Sequence, residues 1–285
     1  MKKLLVQLDG DPHPSVFDRI VAHDAGADEV LSYGGVGPRD VTPLVHGTLF
    51  TRGPKDLHHT AIWVGGSSVP HSEELLDAVV KSFFGPFRVS VMMDANGCNT
   101  TAAAAVARLA EAVGLKGARV VILAGTGPVG VRAAVLFARE GASVALTSRS
   151  LERARAACER LRQGFGVEVT PVEARDDAGV ARALEGAHVC LAAGAAGTTL
   201  LRRATWEPHP TLRAIADVNA VPPLGVEGIE ATDKGADRAG KVVFGALGVG
   251  ALKMKVHKAC IARLFERNDQ VLDLDAIYAI ARAGR

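Results

Sequence analysis

Residues 119–150 read RVVILAGTGPVGVRAAVLFAREGASVALTSRS, and the order of residue types in this stretch decides the fold. RVVIL is a short apolar run with no polar face, as in a strand buried on both sides. PVGVRAAVLFARE carries its apolar residues at helical spacing and stops on Gly141,. SVALTSR returns to a strand. Between the first strand and the helix, Gly125, Gly127 and Gly130 have the G-x-G-x-x-G spacing. The first glycine permits a tight turn, the second lets backbone approach a diphosphate, and the third lets helix meet sheet closely. A helix N-terminus aimed at that turn offers N–H groups and a partial positive charge. Pro128 suits its first position, where no N–H is needed. Three glycines also make a plain strand-to-helix turn. The flanking elements favour a dinucleotide site built from Gly125, Thr126, Gly127, Pro128, Val129 and Gly130.

The second strand of such a unit normally ends in an acid that accepts hydrogen bonds from a ribose diol. Here the place reads Thr147, Ser148, Arg149, Ser150. A guanidinium at Arg149, hydroxyls at Ser148 and Ser150, and Arg153 one helical turn on all suit a 2′-phosphate. NADP is therefore expected, with NAD as the weaker alternative. An arginine beside a helix cap is also a common solvated arrangement, and Ser150 is expected to cap the helix that follows.

Around this stretch, apolar runs and helical patterns alternate along all 285 residues, which indicates an α/β architecture with a largely parallel sheet,. Strands are expected at KLLVQLD, HTAIWVGG, RVSVMMD, VEVTPV, HVCLAAG, RAIADVN and KVVFGALG. Asn99 or Thr100 is expected to cap an alanine-rich helix, and a long helix is expected from Ala251 to about Asn268,. The expected division is a smaller α/β domain over 1–102, a dinucleotide domain over 103–250, and C-terminal helices over 251–285 packing back on the first domain. Net charge is +2 with no basic tract, which gives no case for nucleic acid or an anionic membrane,. Cys98, Cys158, Cys190 and Cys260 form no C-x-x-C pair, so neither a zinc ribbon nor a disulfide framework is expected,. The expected setting is reducing and cytoplasmic. MKKLLVQLDGD reaches Asp9 before any export-length apolar core develops, and no run approaches the roughly 20 residues of a membrane span,.

Several longer stretches are distinctive: PSVFD at 14–18, GTLFTRG at 47–53, FFGPFRVSVMMDANGCNTTAAA at 83–104, LAGTGPVG at 123–130, NAVPPLGVEGIEATDKG at 219–235 and FGALGVGALKMKVHKACIARLF at 244–265. Through them the chain resembles, over nearly its full length, the NADP-dependent methylene-tetrahydromethanopterin dehydrogenases of methylotrophic bacteria, which include enzymes acting on methylene-tetrahydrofolate. The resemblance implies a Rossmann-type domain, a smaller N-terminal α/β domain, and an interdomain cleft for the pterin. It implies hydride transfer from the methylene carbon of the tetrahydromethanopterin or tetrahydrofolate carrier to NADP, leaving a methenyl cation. A nitrogen lone pair expels that hydride, so positioning and charge control carry the catalysis and no general base is required. No Tyr-x-x-x-Lys is present, since Tyr33 is followed at that spacing by Gly37 and Tyr278 by Arg282. Cyclohydrolase work of the bifunctional folate enzymes is accordingly not expected.

The resemblance places Lys253 against the pterin as the catalytic cation. Read locally, Lys253 falls in the first turn of a helix starting at Ala251, where the dipole disfavours a cation. His257 shares its face and reads as structural; Lys255 does not share it. Asp94, Asn96 and Asn99 stand at a strand end and helix start, where ligands of open α/β sheets collect, although capping alone accounts for Asn99. Asp18, Thr51 and Arg52 lie in matching motifs and are expected to join the substrate contacts. His58 and His59 depart from the pattern, and no ligand spacing makes them a metal site. Ala193 and Gly194 are expected beside the nicotinamide ribose, with Asn219 held toward the carboxamide by the VPPLG turn. Two other readings compete. A reductase of the shikimate dehydrogenase type would need a Lys and Asp pair, for which Lys55 and Asp94 are candidates; a non-catalytic NADP-binding sensor would need neither. A homo-oligomer is the expected state.

Overall fold

The computed structural model describes residues 1–284. In chain order the elements begin β1 (Leu4–Asp9), α1 (Val16–Asp24), β2 (Glu29–Tyr33), α2 (Pro38–Leu49), β3 (Thr60–Gly65), α3 (Val69–Lys81), β4 (Ser90–Met93) and α4 (Cys98–Val113). They continue with β5 (Arg119–Leu123), α5 (Pro128–Arg139), β6 (Ser143–Ser148), α6 (Leu151–Phe165), β7 (Thr170–Glu173), α7 (Asp177–Leu184), β8 (Val189–Ala192), α8 (Arg203–Trp206) and β9 (Ala214–Asp217). The chain closes with β10 (Lys234–Arg238), β11 (Lys241–Phe244), α9 (Ala246–Leu264), β12 (Val271–Leu272) and α10 (Leu274–Ala283). Two compact units result, one of residues 1–100 with 254–285, the other of residues 101–253.

The first unit holds a five-stranded parallel sheet in the order β12-β4-β3-β1-β2. Strand order reverses between β1 and β3, and ligands of open α/β sheets collect beyond the strand ends at such a switch. Asp9 pairs in register with Gly65, and Val64 with Met93, so Asp9, Gly65 and Asp94 end neighbouring strands in a row. Trp63 of β3 is fully buried and stacks on His257 of α9, with ring centroids 4.7 Å apart and planes 5° from parallel. α2 forms despite Pro43 in its interior, because Val41, Val45, Thr48 and Leu49 are buried along one face. Tertiary burial there outweighs a poor local propensity.

The second unit holds seven strands in the order β10-β11-β9-β8-β5-β6-β7, parallel except that β10 runs against β11. This is the doubly wound dinucleotide-fold order, with its switch between β5 and β8. Its apolar core runs under the sheet through Leu123, Cys190, Ile215 and Trp206, and the indole N–H of Trp206 donates to the carbonyl of Glu227 at 2.8 Å.

Two expectations about helix ends require correction. α4 is capped by neither Asn99 nor Thr100. The Asp94 carboxylate takes the N–H groups of Asn99 at 2.8 Å and Thr100 at 3.0 Å together with the Thr100 hydroxyl. α9 begins at Ala246 rather than Ala251, so Lys253 lies about two turns inside the helix, and the argument from the helix dipole does not hold,. The first N–H groups of α9 are satisfied by chain: those of Leu247 and Gly248 reach the Ala231 carbonyl, and that of Gly245 reaches Asp233. All four cysteines are buried, and none is joined in a disulfide. Among the described residues no helix is long and apolar enough to cross a membrane, and no group of three His, Cys, Asp or Glu side chains is arranged to hold a metal.

Candidate functional site

The turn from β5 into α5 is built by the neighbouring strand. Ala124 adopts a left-handed conformation, φ 49°, which a non-glycine residue keeps only when its surroundings impose it,. Its N–H donates to the Thr147 hydroxyl and the Gly125 N–H to the Thr147 carbonyl, both at 3.0 Å. The three glycines then separate by environment. A Cβ on Gly125 would meet Ile122 and Leu146 side chains at 2.8 and 2.9 Å, and one on Gly130 would lie 2.4 Å from the Gly125 carbonyl oxygen. One on Gly127 would meet nothing nearer than the Ala193 carbonyl at 4.0 Å. Packing explains the outer glycines. The middle one leaves open space at the N-cap of α5, with Pro128 at the first helical position. That is the cradle a diphosphate requires.

A cavity of about 400 Å³ opens beside this turn, lined among others by Thr126, Thr147, Ser148, Arg149, Ser150 and Arg153. Ser150 caps α6, its hydroxyl accepting from the Arg153 N–H at 3.3 Å. The Ser148 hydroxyl accepts from the Ser150 N–H at 3.3 Å. Arg149 and Arg153 are exposed at the rim. Ala124 and Thr126 of the glycine turn and Thr147, Ser148, Arg149, Ser150 and Arg153 after β6 thus line one cavity, and its donors suit a dinucleotide with a phosphate on the adenosine ribose,. Ala193 follows β8 across the switch point, its N–H on the Leu123 carbonyl at 3.1 Å. A Cβ on Gly194 would lie 2.6 Å from the tip of Leu200 and 3.2 Å from Ala124, so any side chain there would displace Leu200.

The model for the N-terminal part of methylene-tetrahydromethanopterin dehydrogenase matches residues 16–96. The bifunctional protein MdtA of Methylorubrum extorquens is 52% identical over 283 residues, covering 99% of this chain and 98% of that one. The NAD(P)-dependent methylenetetrahydromethanopterin dehydrogenase of the same organism is 34% identical over 279 residues, covering 94% of each. The chain belongs to the methylenetetrahydromethanopterin dehydrogenase family. Among solved structures, a shikimate 5-dehydrogenase from Listeria monocytogenes aligns with a TM-score of 0.52 at 14% identity, covering 98% of this chain and 96% of that one, a likeness of fold.

Other residues expected to matter in this dehydrogenase family separate into two ends of the first unit's sheet. Asp18 and Asp94 lie toward the carboxyl ends. Asp18 sits in the first turn of α1, its carboxylate 4.0 Å from His257 Nε2. Asn96 is exposed in a left-handed turn, φ 51°, directly after Asp94. Asn99 is fully buried and donates from Nδ2 to the Met93 carbonyl at 2.8 Å, so it braces β4 against α4. Arg52 belongs to the opposite end: its guanidinium donates to the Thr60 hydroxyl at 2.9 Å and the Lys2 carbonyl at 3.0 Å, where β3 and β1 begin. Thr51 precedes it on the exposed surface, and His58 and His59, their rings tilted 42° to each other, lie in the turn before β3. These four are not brought together with Asp94.

Sequence reasoning missed the carboxylates that shape the loops. Asp9 accepts from the N–H groups of Asp11 at 2.9 Å and Ser15 at 3.2 Å, and Asp11 accepts from the Ser67 N–H and hydroxyl, which joins the loops after β1 and β3. Burial pushes the Asp9 carboxyl above its ordinary range against those hydrogen bonds,. In the second unit, Asp217 ends β9 and accepts from Asn219 at 2.9 Å and Val226 at 3.0 Å; burial pushes it up likewise. The available signal was a carboxylate ending an apolar strand. Asn219 is itself engaged in its loop, donating to the Pro223 carbonyl and accepting from the Val221 N–H. Asn219 and the VPPLG turn are thereby tied to each other.

Proposed function

We propose that this chain is an NAD(P)-dependent methylene-tetrahydropterin dehydrogenase that moves hydride from the methylene carbon of methylenetetrahydromethanopterin to NADP and leaves the methenyl form. The observation that carries this reading is its full-length relationship to the enzyme named for that reaction. The open space at Gly127 and the arginine-rimmed cavity beside it support the nucleotide half. NADP, when bound, supplies the hydride-accepting nicotinamide carbon.

In this reading the backbone of Gly125, Thr126, Gly127, Pro128, Val129 and Gly130 holds the diphosphate. Ser148, Arg149, Ser150 and Arg153 hold the 2′-phosphate, and Ala193, Gly194 and Asn219 shape the nicotinamide side. Asp18, Asp94 and Asn96 order the pterin-binding loops, Asn99 braces them, and Lys253 is the cation facing the pterin. The C–H bond of the methylene carbon breaks with its electron pair leaving as hydride, while a ring nitrogen lone pair closes the methenyl cation. No proton is released, so no side chain has to act as base. Orientation of the two substrates is the protein's main contribution. The carrier is tetrahydromethanopterin or tetrahydrofolate, and the working form is a cytoplasmic homo-oligomer.

The test is a steady-state comparison of both methylene carriers with both nucleotides, following NADPH and the methenyl product together. Stoichiometric formation of the two supports the assignment. Nucleotide binding without turnover would instead favour a sensor. A shikimate-type reductase is disfavoured by Asp94, whose carboxylate is fully buried at the start of α4, while Lys55 is exposed in the turn before β3.

A further inference from the structure

The second strand of the nucleotide unit ends without an acid, but the third strand brings one to the same place. Glu173 ends β7 and pairs in register with Ser148, so the two side chains leave adjacent parallel strands on the same side of the sheet,. Its Oε1 accepts from the Leu151 N–H at 3.2 Å, at the first position of α6. The Arg175 guanidinium lies on the same oxygen at 2.8 Å and is largely exposed. The turn entering α6 therefore carries Ser148 and Ser150, two cavity-rim arginines and one carboxylate. Arg149 and Arg153 favour a phosphate there, whereas the carboxylate opposes it.

We propose that Glu173 determines how strictly the site prefers the phosphorylated nucleotide, by holding a negative charge on the turn of α6 that receives the adenosine 2′ substituent. The proposal rests on the reading of residues 125–130 as a dinucleotide site. A 2′-phosphate brings up to about two negative charges and a 2′-hydroxyl brings none. Repulsion from Glu173 consequently falls on NADP and spares NAD. A relative of this chain is named as NAD(P)-dependent. Glu173 is held toward the turn by the Leu151 N–H and the Arg175 guanidinium.

The test is Glu173→Gln, which keeps the length and an oxygen for the Leu151 N–H while removing the charge. The ratio of kcat/KM for NADP to that for NAD should rise on the order of tenfold at low salt, mostly through a lower KM for NADP. That gain should shrink as ionic strength approaches about 0.5 M, because a charge effect is screened. Arg175→Gln, which leaves the carboxylate less neutralised, should move the ratio the opposite way. A ratio unchanged in Glu173→Gln, or equal losses with both nucleotides that ignore salt and accompany a lower Tm, would overturn the proposal and leave Glu173 a helix cap. Calorimetric titration of the unaltered protein separates the two ideas: absence of NADP and NAD binding there defeats the dinucleotide reading itself, whereas binding with an unmoved ratio defeats only the role of Glu173.

Discussion

At the scale of single residues, the three loop glycines make separable predictions. Gly127→Ala adds a methyl to open space. Tm should be unchanged within a degree or so, while nucleotide affinity falls at least about tenfold because the methyl takes the diphosphate's place. Gly130→Ala drives a methyl to 2.4 Å from the Gly125 carbonyl. It should lower Tm by roughly 2–5 °C, through an overpacking cost of about 1–3 kcal/mol. Thermal melts beside nucleotide titrations check both; equal destabilisation by the two variants would contradict the assignment. Arg149→Ala should raise the KM for NADP about 10- to 100-fold, the worth of a charge-assisted contact, and leave that for NAD nearly unchanged. Lys253→Ala should lower kcat with little change in the nucleotide KM. The reverse split would exchange their roles.

At the scale of elements, each unit depends on carboxylates at strand ends. Asp94→Ala removes three hydrogen bonds from the first turn of α4 and should cost about 2–4 kcal/mol, read as a lower midpoint in chemical unfolding,. Asp233 and Arg238 pair across the segment before β11 at 2.6 Å. Burial raises the Asp233 carboxyl, but the Arg238 guanidinium and the Glu230 N–H outweigh it and hold the group below its ordinary 3.8,. Its stabilising contribution is therefore present above pH 3.8 and disappears as pH falls through the lower folded value,. Asp217 has the opposite sign: raised by burial, it contributes fully below pH 3.8 and loses that contribution as pH climbs through its higher folded value,. The stability difference between Asp217→Asn and the unaltered chain should thus shift toward the variant as pH rises from 3.8 to neutrality, whatever its starting offset. A difference independent of pH would show that Asp217 titrates no differently in the two states.

The element scale also shows where local reading stopped. RVVIL, PVGVRAAVLFARE and SVALTSR declare themselves because their periodicity, caps and flanking glycines agree,. α2 was not foreseen because Pro38, Pro43 and Gly47 speak against a helix, and burial of Val41 and Val45 overrides them. β12 has two residues and exists because its backbone pairs with β4. The start of α9 was misplaced because its opening glycines, Gly245 and Gly248, look like loop. A Cβ on either would lie about 2 Å from a backbone oxygen, at 2.0 and 1.9 Å respectively, so close packing on residues 230–233 demands them.

For the molecule as a whole, thiol chemistry gives a direct check on the two cores. Cys260 is pushed up to about 12 by burial first and the Asp94 carboxylate second, against the opposing Arg263. Burial raises Cys190 further, with Asp217 adding to it, and raises Cys158 as well. At mildly alkaline pH the native protein should react with no maleimide over minutes, and with four equivalents after denaturation,. Rapid labelling of Cys190 in native protein would show that the apolar layer beside β8 is open to solvent.

The chain by itself determined its fold class, the glycine turn between β5 and α5 and the arginines at the rim of the cavity beside it, because those features are local. Strand, glycine spacing, helix and strand end lie within residues 119–150, and each residue acts where it stands. Tertiary structure alone decided the rest: that Asp94 caps α4, that Arg52 serves the far end of its sheet, that Trp63 stacks on His257, and that Glu173 reaches the turn after Ser148. Each of these joins residues through strand register or sheet order. Pairing of that kind is a property of the folded backbone, which no spacing along the chain specifies.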